Sequence, residues 1–133
     1  MVHYFIGLIY LRQKKYEEAF AEFRKEKELS PDDPRVDALL ALAYAEMGNR
    51  DEAVRILDKL KRLSALEGHD YLFINIAAIY AAMDERDQAL AWLEKAYQVH
   101  SSSLTLIMSI HEFQSLRSDP RFQDILRRMS FPP

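Results

Sequence analysis

One pattern in this chain recurs three times. The segments "GLIYLRQKKYEEAFAEFRKEKELSP", "ALAYAEMGNRDEAVRILDKLKRLSA" and "AAIYAAMDERDQALAWLEKAYQVHS" align so that Tyr10, Tyr44 and Tyr80 correspond. Ala19, Ala53 and Ala89 also correspond, as do Phe23, Leu57 and Leu93. The first step is 34 residues and the second 36, with the two extra residues taken up in "SALEGHD". A period of this length means one supersecondary unit copied along the chain. A single copy cannot bury its apolar face, so neighbouring copies must stack.

Within each copy the apolar spacing is helical. Turns fall at "QKK", "GNR" and "DER", and Gly48 suits the left-handed residue that follows a helix. Asp33 is a good N-cap and Pro34 a good first helical residue. The spacing predicts helices near residues 2–13, 17–29, 34–47, 51–64, 70–83 and 87–99. Two more are expected near 104–115 and 120–129. Only three glycines occur, Gly7, Gly48 and Gly68, which excludes a glycine-rich phosphate loop and favours helix over sheet.

The pattern resembles the tetratricopeptide repeat family. Repeat 1 carries it as Ile6-Gly7, Tyr10, Ala19, Phe23 and Pro31; repeat 2 as Leu40-Ala41, Tyr44, Gly48, Ala53 and Leu57; repeat 3 as Ile76-Ala77, Tyr80, Ala89, Leu93 and Ala96. The resemblance covers residues 1 to about 101. It implies an all-α fold, an α-α superhelix of three helical hairpins. Repeat 1 would span residues 1–33, repeat 2 34–69 and repeat 3 70–103, followed by a two-helix C-terminal cap over 104–133, all in one domain. Gly7, Ala41 and Ala77 would sit where the two helices of a hairpin cross, faced by Ala19, Ala53 and Ala89. Departures from the family pattern are His3, Asp37 and Phe73 at its Trp position, Glu26 in place of a small residue, and Ala65 and Ser101 in place of Pro.

The tail "SLRSDPRFQDILRRMSFPP" does not repeat. Asp119 reads as a cap and Pro120 as the start of a last helix. Phe122, Ile125, Leu126 and Met129 form one apolar stripe. Leu104, Ile107, Met108 and Leu116 are expected to pack back onto repeat 3. A terminal cap is the plainer reading; partner binding through Arg117 and Arg121 is the sharper one. The phrase "LRSDPRFQDILRRM" also resembles the end of tetratricopeptide regions in bacterial multidomain signalling proteins. That likeness implies a docking or sensing fragment of a larger protein, with Met1 an added start. "MVHYFIGLIY" enters its helix without a cap, and self-association through this N-terminal helix edge is expected.

With 49% hydrophobic and 29% charged residues, 133 residues can bury a core. The net charge of −3 argues against nucleic acid as the main partner. Basic clusters such as Arg12-Lys14-Lys15 are interleaved with acids, as on a solvated helix face. Cysteine is absent, so there is no disulfide framework, and a reducing, cytoplasmic setting is expected. No apolar run is long enough for a membrane span.

No catalytic constellation emerges. His3, His69, His100 and His111 lack a second ligand at helical spacing, and "HEFQS" has Ser115 where a zinc-protease motif needs His. Carboxylates gather at turns and outer faces. Neither enzyme chemistry, a metal nor a cofactor is expected.

The family resemblance places a ligand peptide in a concave groove lined by the first helix of each repeat. The matching positions are Tyr4, Leu8, Leu11 and Arg12; Arg35, Ala38, Leu42 and Glu46; and Tyr71, Ile74, Asn75 and Ala78. Asn75 is the one residue kept from the family's carboxylate clamp, so that clamp is not expected. The groove reads as apolar, which suits an amphipathic helix or extended apolar peptide of a partner protein. A small apolar ligand or lipid is the alternative occupant.

Overall fold

The computed structural model describes residues 2–129. Residue 1 and the last four residues of the expected cap, 130–133, lie outside the described residues. The described chain is helical throughout: α1 (Val2–Arg12), α2 (Tyr16–Leu29), α3 (Pro34–Glu46), α4 (Arg50–Ser64), α5 (Leu72–Ala82), α6 (Arg86–Gln98) and α7 (Pro120–Arg128). Two 3₁₀ segments, Ser102–Leu106 and His111–Leu116, precede α7. The chain divides into two compact units, residues 1–60 and 61–133, with the division inside α4.

The turn within each hairpin is built the same way three times. Lys14, Gly48 and Asp84 adopt positive φ (61°, 87° and 61°). The next amide then donates back to the repeat tyrosine: Lys15 to Tyr10, Asn49 to Tyr44 and Glu85 to Tyr80, each at 2.9 Å. This closure gives the tyrosine carbonyl a donor where the helix ends and the amide four residues on bonds elsewhere. Gly48 takes the left-handed conformation without steric cost, whereas Lys14 and Asp84 take it against the preference of a Cβ-bearing residue.

Small residues set the helix crossings. A methyl group added to Gly7 would overlap the ring of Phe23, with Cδ1 at 2.7 Å. Phe23 is fully buried and cannot swing away. Ala19, Ala41, Ala53, Ala77, Ala89 and Ala96 have no exposed surface at all. Leu57, Leu60 and Phe23 complete the core of the first unit, and Leu72, Ile76, Ile79 and Leu93 that of the second.

The departures from the repeat pattern are matched by local partners. His3 Nδ1 lies 2.6 Å from Glu22, and its backbone N–H donates to Glu26 Oε1 at 3.1 Å. The buried Glu26 therefore serves an orphan amide at the start of α1, which the uncapped sequence left unanswered. Asp37, also buried, accepts from Lys27 at 2.9 Å and Lys59 at 3.1 Å. Phe73 instead packs against Trp92, ring centroids 5.6 Å apart, with Lys95 over both rings.

The expected α-helix over 104–115 is not formed; two short 3₁₀ turns take its place. Hydroxyls of this segment bond to nearby carbonyls, Thr105 to Ser102, Ser109 to Leu106 and Ser115 to Glu112, which competes with a continuous helix. The inward residues Leu104, Ile107, Ile110, Phe113 and Leu116 recur every third position, the period of a 3₁₀ helix. Met108, expected to pack inward, falls off that register and is 40% exposed. The second 3₁₀ turn packs on α5, while the first and α7 pack on α6. The expected two-helix cap is thus a degenerate fourth hairpin whose first helix is broken. Asp119 caps α7 as expected, accepting the Arg121 amide at 2.9 Å, and Asp33 does the same for Arg35 at 3.0 Å. Both belong to an Asp-Pro-Arg triplet in which the arginine folds back on the capping carboxylate through two further bonds.

Candidate protein-interaction surfaces

In the first unit, the expected groove positions on α1 and α3 separate by burial. Leu11, Ala38 and Leu42 are buried at 1–7% exposure and belong to the core. Tyr4, Leu8 and Glu46 are half-buried, and Arg12 and Arg35 are exposed. Arg12 reaches Glu46 at 3.3 Å, while Arg35 grips Asp33 at 2.9 Å. Burial of Tyr4 raises its phenol above the ordinary value despite the pull of Arg35, so the hydroxyl stays protonated and able to donate. In the second unit, Ile74 and Ala78 are buried, and Tyr71 and Asn75 are half-buried. Along both stretches the accessible chemistry is aromatic, amide and ionic, over small and apolar residues already committed to packing.

A shallow groove lies between α6 and α7, lined by Leu90, Ala91, Pro120 and Ile125 among others. Its rims are tied together by Arg121 to Asp87 at 2.8 Å and Arg128 to Glu94 at 2.7 Å. Arg128 also stacks over Tyr97 at 4.7 Å. The guanidinium of Arg121 is shifted up, first by its bond to Asp119 and then by Asp87; the same bond pulls the Asp119 carboxyl down. Arg117 donates to the Met108 carbonyl at 3.4 Å. Both arginines singled out in the tail are therefore engaged within the unit.

The outward face of α1 is different. Val2, Phe5 and Ile9, at 67%, 61% and 58% exposure, form a helical stripe open to solvent. The sequence marks this edge as apolar but does not by itself say which residues stay uncovered. The signal lies one repeat downstream: 34 residues on, Val36, Leu39 and Ala43 are buried at 2%, 5% and 0%.

Ion pairs repeat the same distance. Arg12–Glu46, Asp87–Arg121 and Glu94–Arg128 each join residues 34 apart. With three matching hairpin turns and a shared small-residue crossing, the architecture is that of a 34-residue helical repeat. Tetratricopeptide repeat profiles match residues 10–65 and 72–104. The chain belongs to the tetratricopeptide repeat family. No curated protein and no solved structure matches it significantly. Tetratricopeptide repeats mediate protein–protein interaction and are typically non-catalytic scaffolds. Among the described residues, no group of three His, Asp or Glu side chains is placed to hold a metal ion. No described helix is long and apolar enough to cross a membrane.

Proposed function

We propose that this tetratricopeptide chain is a non-catalytic scaffold whose first-helix faces bind a peptide or helix of a partner protein. The observation that carries this reading is the same mixture on the first-helix faces of each unit: half-exposed Tyr4 and Leu8 with buried Ala38 and Leu42 in the first, and half-exposed Tyr71 and Asn75 with buried Ile74 and Ala78 in the second. The small side chains of Ala38 and Ala78 leave room for a ligand to approach, and rigid tyrosines supply contact area at low entropic cost. Leu11 belongs to the floor, and Arg12, Arg35 and Glu46 supply charges at the margin. The net charge of −3 disfavours nucleic acid as the ligand, and a chain without cysteine suits the cytoplasm. The same reading includes self-association through the outward face of α1.

The test is selection of binding peptides from a displayed library, followed by calorimetry on the chain and its variants. Tyr71→Ala and Leu8→Asp should each weaken the selected peptide by roughly tenfold while circular dichroism stays unchanged. Peptides that bind both variants as well as the parent would overturn these faces as the site.

A further inference from the structure

We draw no further inference here: the strongest candidate, the shallow groove between α6 and α7 lined by Leu90, Ala91 and Ile125, carries nothing, because the charges on its rims are already paired with one another, Arg121 with Asp87 and Arg128 with Glu94, and nothing in the structure shows what covers it.

Discussion

Asp37 in the first unit and Phe73 in the second occupy the same place in the repeat, and the structure treats them in opposite ways. Asp37 is a buried carboxylate held by Lys27 and Lys59, whereas Phe73 packs its ring on Trp92 beneath Lys95. His3, in the same place in repeat 1, leans on Glu22. The helices around all three positions keep the same turns and the same small-residue crossings. The repeat therefore constrains the backbone path tightly and the chemistry of this position loosely, provided a neighbouring side chain supplies the complement. Lys27 and Lys59 can do so because long side chains reach a carboxylate while their stems lie along apolar surface.

Four outcomes would break or sharpen this comparison. Phe73→Ala should be the most damaging, because it removes a nearly buried aromatic and leaves a cavity beside Trp92; about 3–5 kcal/mol is expected from chemical denaturation. A loss below about 1 kcal/mol would mean that the position does not hold the second unit together. Asp37→Ala should cost less, about 1–2 kcal/mol, since its two partly exposed lysines can turn to water once their acceptor is gone. If Asp37→Ala proved the more damaging, the polar version would be the more tightly built.

The third concerns pH. Arg35 and Arg121, by their side-chain bonds, hold the carboxyls of Asp33 and Asp119 below the ordinary aspartate value. Depressed acids stabilise fully above about pH 4 and lose that contribution as pH falls through the lower folded-state values. Asparagine can still cap but does not titrate. An Asp33→Asn/Asp119→Asn chain should therefore lose less melting temperature than the parent between about pH 5 and pH 2.5. Parallel melting curves would remove the caps from the acid response. The smallest expected effect is a gain. Lys14→Gly should add a few tenths of a kcal/mol, about 0.5, because relief of left-handed strain exceeds the added chain entropy. Gly48 already shows the repeat accepting glycine there, and a destabilised Lys14→Gly would mean that the lysine side chain matters more than its backbone.

Much of the fold was legible from residues alone. The alignment of Tyr10, Tyr44 and Tyr80 located the hairpins, and the first six helices fall within one or two residues of their expected bounds. The two Asp-Pro caps were readable too, because capping is a local matter of one carboxylate and the amide two residues on. The broken helix over 102–116 is not legible in the same way, although Leu104, Ile107, Phe113 and Leu116 carry a three-residue spacing. An α-helical template accommodates part of that spacing, so the two periods are not told apart by residues alone. The candidate surfaces are less legible still. Leu11, Leu42 and Ile74 belong to the core while Tyr4, Tyr71 and Asn75 keep part of their surface, and no spacing rule separates the two sets.

Sequence by itself determined the repeat, its helical period, its turn residues and its caps, since each depends on groups a few residues apart. Tertiary structure decided which apolar residues are covered. Val2, Phe5 and Ile9 have the same spacing as Val36, Leu39 and Ala43, yet one set faces water and the other the core. Burial depends on what packs against a helix, and that is settled by contacts between elements rather than within one.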